Sequence, residues 1–233
     1  TRIADASNRA AQYPKRIYTD NAEFQLMRAR VELSFIDDSE KAVQHFENKR
    51  KKGGRYAVAA QYGWVLALTR NGQFDEAKKL IKPMRSYAPH NLVYALAEAN
   101  IEIESGSYDK AITRLQYALD FSPGSHPITM YLAEAYYRAG YFGDAEKLLK
   151  AHSRVKRMDA HLWYMLAEVQ GKTGNILGLH QSRAEYFYLN GAMNQALQQL
   201  ELALPKAKDN VTYERIQNRM VYFKNVARAL GQL

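Results

Sequence analysis

Histidine and carboxylate side chains are the residues of this sequence that could bind a metal ion or move protons. A zinc hydrolase needs two histidines one helical turn apart and a nearby carboxylate, as in His-Glu-x-x-His. The histidines are instead scattered, at His45, His90, His126, His152, His161 and His180. We interpret them as surface or helix-end residues, and we predict no metal site and no cofactor in this chain.

Neighbouring carboxylates and nucleophile motifs offer no better catalytic site. We interpret Asp37 and Asp38 as turn residues, and Glu102 and Glu104 as part of a solvated helix face. The phosphate-binding glycine loop, the Gly-x-Ser-x-Gly elbow and the dinucleotide fingerprint are all missing from the sequence. The lack of cysteine removes disulfides, thiolate zinc sites and cysteine nucleophiles together. We therefore predict no catalytic residues and expect that this chain is not an enzyme.

Positive charge exceeds negative charge, since the sequence has 33 lysines and arginines and 24 aspartates and glutamates. Such a balance attracts acidic partners without identifying them. The basic run at residues 49–55 could contact nucleic acid or anionic lipid, but cations are also favoured at a helix C-terminus, and we favour that interpretation. The 17 tyrosines fall mostly at helix-packing spacing, so a base-stacking surface is not required. We expect no nucleic-acid partner and, because no apolar run reaches about 20 residues, no transmembrane segment.

A polar segment with a central glycine recurs along the chain, as RNGQFDEAKKL, ESGSYDKAITRL and RAGYFGDAEKLL. The repeated positions are spaced by 34 residues: Gly72, Gly106, Gly140 and Gly174; Ala77, Ala111 and Ala145; Phe74, Tyr108 and Phe142. A glycine that ends a helix often takes a positive φ, which costs it no Cβ clash. The alanine is expected where two helices cross closely. Each unit is therefore predicted to be a helical hairpin.

A 34-residue period of two antiparallel helices resembles the tetratricopeptide repeat. We predict an all-α, tetratricopeptide-type helical-hairpin solenoid over residues 19–233, preceded by a helix over 1–18. The expected units are about 20–54, 57–90, 91–124, 125–158, 159–190 and 191–233, the last containing a capping helix. Gly191 follows Gly174 by only half a period, so a helix over 176–190 should close one unit and open the next. Two residues depart from the motif: Glu98 stands where a large apolar residue is usual, and Leu179 replaces the signature alanine of the fourth unit.

The first helix of each pair lines the concave side of such a stack, which is where an extended partner would bind. The predicted groove residues on these first helices are Tyr62, Arg70, Asn100, Met130, Glu134, Tyr137, Arg138, Tyr164, Glu168 and Lys172.

The opening RIADASNRAAQYP, and later the segment AEYFYLNGAMNQALQQLELAL, resemble the C-terminal part of the BepA-type periplasmic zinc metalloproteases of Gram-negative bacteria. In that family a similar helix ends the protease domain and a tetratricopeptide domain follows it. The residues that match this helix are Arg2, Ile3, Ala4, Asp5, Asn8, Arg9 and Ala10. The chain starts without methionine, and we expect it to be a fragment of a longer precursor whose zinc would lie in the protease domain.

The resemblance implies a periplasmic location and a role in the assembly and quality control of outer-membrane β-barrel proteins. The expected partners are the barrel-assembly machinery and unfolded barrel proteins, bound by the repeat domain. The alternative is a free-standing tetratricopeptide adaptor that binds acidic or extended peptide segments.

Overall fold

The computed structural model describes residues 21–231, and within that range the regular structure is helical, without strands. The helices are α1 (Ala22–Ser34), α2 (Ser39–Lys51), α3 (Ala57–Arg70), α4 (Phe74–Tyr87), α5 (Leu92–Glu104), α6 (Tyr108–Phe121), α7 (His126–Ala139), α8 (Phe142–Ser153), α9 (Ala160–Thr173), α10 (Ile176–Leu189), α11 (Met193–Ala203), a 3₁₀ turn (Leu204–Lys206) and α12 (Asn210–Ala229). The predicted all-α hairpin solenoid is confirmed. The helix expected over residues 1–18 lies outside the described residues.

The chain divides into two compact units, one up to Tyr94 and one from Ala95 onward. In the first unit, α3 packs on α1, α2 and α4. In the second unit, the helices from α6 to α12 each pack on the next one along the chain. Short connections make such neighbours antiparallel. The finer division into six units stays a prediction.

The repeated glycines and alanines have the predicted local roles. The glycines that end the first helix of a hairpin all have positive φ: Gly72, Gly106, Gly140, Gly174 and Gly191. The alanines of the repeat are fully buried, at Ala77, Ala111, Ala145 and Ala196. Because these alanines lie at helix crossings, the helices approach each other closely only while the side chain stays small.

Helix α10 is shared between two hairpins, as the half-period spacing predicted. It packs along α9 on one side and along α11 on the other. The glycine turns before and after it, at Gly174 and Gly191, both adopt left-handed backbone conformations. Helix α12 then packs on α11 and buries Ile216, Phe223 and Ala227.

Both departures from the motif have a structural explanation. Glu98 and Glu102 of α5 pair with Arg114 of α6, at 2.8 Å in each case. The hydrogen bond to Glu102 is the largest cause that raises the pKa of Arg114. Leu179 stands where the motif has alanine, and Gly171 lies opposite, since a Cβ on Gly171 would sit 3.1 Å from a Leu179 methyl. Here the small residue, Gly171, lies on α9 and the large one, Leu179, on α10, which reverses the arrangement of the motif.

Gly63 marks a closer helix contact that the sequence pattern did not single out. A Cβ at this position of α3 would lie 2.3 Å from the ring of Phe46, which is fully buried in α2. Such a distance is a severe overlap, so α2 and α3 require glycine here.

We predict opposite effects for two glycines that lie three residues apart. Gly140 has φ of 82°, and nothing lies within 4 Å of a Cβ built on it, so Gly140→Ala tests backbone strain alone. It should lower the free energy of unfolding by about 1 kcal/mol. Gly143 lies inside α8 with equal space around it, so Gly143→Ala should leave stability unchanged or raise it slightly. Urea unfolding followed by circular dichroism measures both, and equal midpoints for the two variants would contradict the assigned turn.

Candidate partner-binding surface

Two of the predicted groove residues belong to the core of their unit. Tyr62 of α3 has no exposed surface, and its ring lies 6.1 Å from that of Tyr94. Met130 of α7 is 9% exposed and packs in a cluster with Leu149 and Leu162. Neighbouring helices cover both side chains, so their assignment to a binding surface is corrected to core packing.

Arg70 lies at the surface but is engaged within the first unit. Its guanidinium donates to the backbone carbonyl oxygens of Leu33 at 3.2 Å, Ile36 at 2.5 Å and Asp38 at 3.4 Å. These carbonyls lie at the end of α1 and in the turn to α2. The Leu33 and Asp38 carbonyls also accept from the backbone N–H groups of Ile36 and Ala42, whereas the Ile36 carbonyl is bonded by Arg70. Its observed role is therefore to fasten this turn.

The remaining predicted residues lie in the second unit, on α5, α7 and α9. Glu134 and Arg138 of α7 form a 2.6 Å pair, and Arg138 also reaches Glu104 of α5 at 3.4 Å. The hydrogen bond to Glu134 is the main cause that raises the pKa of Arg138. Asn100, one period before Glu134, is half-buried. The ion pairs of Arg138 with Glu134 and Glu104 link α7 to α5, and these side chains remain partly accessible to solvent.

Helix α9 presents the most exposed aromatic residue among the predicted positions. Tyr164 is 47% exposed, and its ring lies 5.6 Å from that of Tyr186 on α10. Glu168 is 3.7 Å from Arg183, also on α10, and Lys172 is exposed near the end of α9.

Tyr137 of α7 is half-buried and meets the ring of Phe142 edge-on. Helices α7 and α9 both contribute to one hydrophobic cluster, together with α8, which packs on each of them. We define the α7/α9 face by six exposed or half-buried side chains on α7 and α9: Glu134, Tyr137, Arg138, Tyr164, Glu168 and Lys172.

The α7/α9 face is suited to binding an extended protein segment. Tyrosine offers a large ring with a hydroxyl, and the charged residues of both signs offer hydrogen bonds to backbone and side chains. Within residues 21–231, no group of three or more histidine, cysteine, aspartate or glutamate residues is placed to hold a metal ion.

The basic run lies at a helix C-terminus, as we interpreted it. Helix α2 ends at Lys51, and Lys49 pairs with Glu32 of α1. Lys51 pairs with Glu47 one turn earlier. Two of its cations are therefore already used in contacts within the first unit.

A chain of two histidines and an aspartate in the second unit was missed by sequence reasoning. Nδ1 of His126 lies 3.0 Å from Nε2 of His152, and Nε2 of His126 lies 3.0 Å from Asp159. His152 lies in the last turn of α8, so it is a helix-end residue as one of the two interpretations had it, but it is buried and not at the surface. Desolvation is the largest cause that lowers the pKa of His152, and the charge of His126 adds to it. The spacing of 26 residues carries no local signal, because the pair forms only when α7 and α8 pack.

The comparisons place this fold among the tetratricopeptide repeat proteins. The tetratricopeptide repeat family matches residues 102–169. A thermophilic tetratricopeptide protein of Thermus thermophilus superposes with a TM-score of 0.52 over 87% of this chain and 98% of its own, at 17% identity. A tetratricopeptide repeat protein of Parabacteroides merdae gives a TM-score of 0.52 over 94% of this chain and 91% of its own, at 11% identity. These likenesses show the fold, which is a helical-hairpin solenoid of the tetratricopeptide type.

Two curated relatives have higher sequence identity. The chain is 28% identical over 210 residues to the beta-barrel assembly-enhancing protease of Escherichia coli, which covers 89% of this chain and 43% of the relative. It is 26% identical over 209 residues to the protein of the same name from Yersinia pestis, with the same two coverages. The chain thus spans less than half the length of these relatives. No helix among the described residues is both long and apolar enough to cross a bilayer.

We predict that Arg70 contributes more to stability than Arg138. Arg70→Gln should lower the free energy of unfolding by about 1–2 kcal/mol, since the Ile36 carbonyl loses its guanidinium donor while the Leu33 and Asp38 carbonyls keep backbone donors. Arg138→Gln removes a solvent-exposed ion pair and should cost less than about 1 kcal/mol. Urea titration of the two variants in parallel gives both values, and a larger loss for Arg138→Gln would overturn the structural role of Arg70.

We predict that His152 makes the protein less stable in mild acid. Its pKa is lower in the folded state than the ordinary 6.5, so the unfolded chain binds the proton more tightly. The stability it contributes is complete above pH 6.5 and is lost as the pH falls from there toward the folded pKa. The variant His152→Gln should therefore lose less stability between pH 7 and pH 5 than the wild type. His161→Gln, at an exposed histidine of α9, is the matched control and should keep the wild-type pH dependence.

Proposed function

We propose that this chain is the protein-binding repeat domain of a periplasmic protein of the beta-barrel assembly-enhancing protease type. The observation that carries the proposal is the similarity to that protease along 89% of the chain. The name of these relatives states a role in β-barrel assembly, and we carry that role over to this chain. The opening RIADASNRA segment, which resembles the end of the family's protease domain, supports the same assignment.

In this proposal the repeat domain holds partner proteins and supplies no chemistry of its own. The partners are the barrel-assembly machinery and barrel proteins that have not yet folded. An unfolded barrel strand is an extended segment with alternating polar and apolar side chains. The α7/α9 face offers the exposed ring of Tyr164 and the charged pairs around Arg138 and Glu168 to such a segment. Proteolysis would belong to a protease domain with its own zinc.

Site-specific crosslinking in the periplasm tests this proposal. A photoreactive amino acid replaces Tyr164 in the full-length gene product, and mass spectrometry identifies the adducts. We expect adducts with a barrel-assembly component or an unfolded barrel protein. Tyr117 is the matched control, because it is a tyrosine of the same unit, 65% exposed on α6, outside the α7/α9 face. Adducts from Tyr117 without any from Tyr164 would show that partners bind another surface.

A further inference from the structure

A second concave site lies in the second unit, away from the residues of the α7/α9 face. It is a cleft of about 820 Å³, lined by the end of α8, by α9 and α10, and by α12 from the opposite side. Its origin is the half-period shift of the repeat. Helix α11 packs on α10, and α12 packs on α11, so α12 stands across from α9 with space between them. We call this space the α9/α12 cleft.

The α9/α12 cleft is strongly cationic. Five basic residues line it, against one carboxylate: Lys150, Arg154, Arg157, Arg215 and Arg219, with Glu185. Glu185 is already paired, because Arg219 donates to both of its oxygens, at 2.7 and 2.5 Å. Arg154 and Arg157 are exposed and form no salt bridge within residues 21–231. An anion that entered the cleft would therefore meet cations that are free to pair with it.

The floor of the cleft is apolar, and its polar groups are satisfied. Leu166, Leu200 and Ile216 are buried beneath the lining, and the half-buried side chains of Trp163 and Leu177 supply its accessible apolar surface. Ser182 donates to the side-chain oxygen of Gln170 at 2.7 Å, so the two buried polar residues of the floor bond each other. Such a surface accepts apolar side chains between anionic ones.

The walls of the cleft are held in place by internal contacts. The indole nitrogen of Trp163 donates to the carbonyl oxygen of Arg157 at 2.8 Å, which ties the α8–α9 loop to α9. On the opposite wall, Arg219 lies 4.8 Å from the centre of the Tyr222 ring while it holds Glu185. A site that is already formed loses little conformational freedom on binding.

The aromatic residues of the cleft favour a peptide over nucleic acid. Single-stranded nucleic acid binds through free ring faces on which bases stack. One face of Tyr222 is covered by Arg219, and Trp163 packs against the hydrophobic cluster of α7–α9. Tyr222 is 46% exposed, so the cleft offers at most one partly free ring and no row of rings on which successive bases could stack.

We propose that the α9/α12 cleft binds an acidic protein segment in which apolar side chains separate aspartate or glutamate residues. The carboxylates pair with Arg154, Arg157 and Arg215, and the apolar side chains pack on Trp163 and Leu177. None of the residues that line the cleft belongs to the α7/α9 face. The proposal for the cleft is therefore independent of the proposed role of that face.

Fluorescence anisotropy on the 233-residue chain tests the cleft. The probe is a short fluorescein-labelled peptide of glutamate and aspartate interspersed with phenylalanine and leucine, in about 150 mM salt to screen the long-range field. Arg154→Glu combined with Arg215→Glu places negative charge on both walls and should weaken binding by about tenfold or more. A peptide with glutamine and asparagine in place of the acids should bind much more weakly than the probe.

The matched control has the same change in net charge at cations outside the cleft. It combines Lys110→Glu on α6 with Lys224→Glu on α12, both exposed. It should change the affinity less than about twofold. Equal weakening by the two double variants would mean that the peptide follows the overall charge, and no weakening by either would mean that it binds elsewhere; both results overturn the proposal.

Two further measurements complete the test. A single-stranded oligothymidylate that binds more tightly than the peptide, and loses that binding in the cleft variant, would reassign the cleft to nucleic acid. Circular dichroism of both double variants checks that they fold. Should the cleft variant not fold, Arg154→Gln alone takes its place, and unchanged affinity in that variant would count against the proposal.

Discussion

Close contact between helices at small residues is the constraint on which this structure depends. Ala77, Ala111, Ala145 and Ala196 are fully buried, and Gly63 meets the ring of Phe46 where even a methyl group would overlap it. At such distances a larger side chain would force the helices apart, and overpacked cores relax only at a cost of about 1–3 kcal/mol. Gly171 and Leu179 show that close helix contact also forms when the small residue lies on the other helix, since the missing side chain of Gly171 leaves room for Leu179. The fixed step between repeats, and with it the order of side chains on each face, follows from these contacts.

Arginine has two different roles within the second unit, and its surroundings decide which. Arg114 joins α5 to α6 through Glu98 and Glu102, and Arg219 joins α12 to α10 through Glu185. These guanidinium groups are partly buried and have opposite charges beside them, so they stabilise helix packing. Arg154 and Arg157 face solvent without such partners. The net charge of +9 therefore includes two kinds of basic residue: those paired within the structure and those accessible to a ligand.

The half-period shift at α10 determines which helices face each other across the α9/α12 cleft. In a regular stack the next hairpin would follow α9 and α10 at the full 34-residue step. Here Gly191 follows Gly174 after 17 residues, and α10 serves two hairpins. The cationic cleft lies where α12 comes across from α9. A small change in repeat spacing has therefore produced a concave site.

The sequence by itself determined the elements that depend on local chemistry: the helices of the repeat, their glycine turns with positive φ, and the buried alanines. These follow from backbone sterics and from a period that is visible in one dimension. Only the tertiary structure decided which side chains are covered. Tyr62 and Met130 share helix positions with surface residues, and the helices packed beside them bury both. The tertiary structure also brings His126 to His152, 26 residues away, and Arg70 to the α1–α2 turn, more than 30 residues away. Such contacts form between helices, and no local sequence pattern encodes how these helices are placed relative to each other.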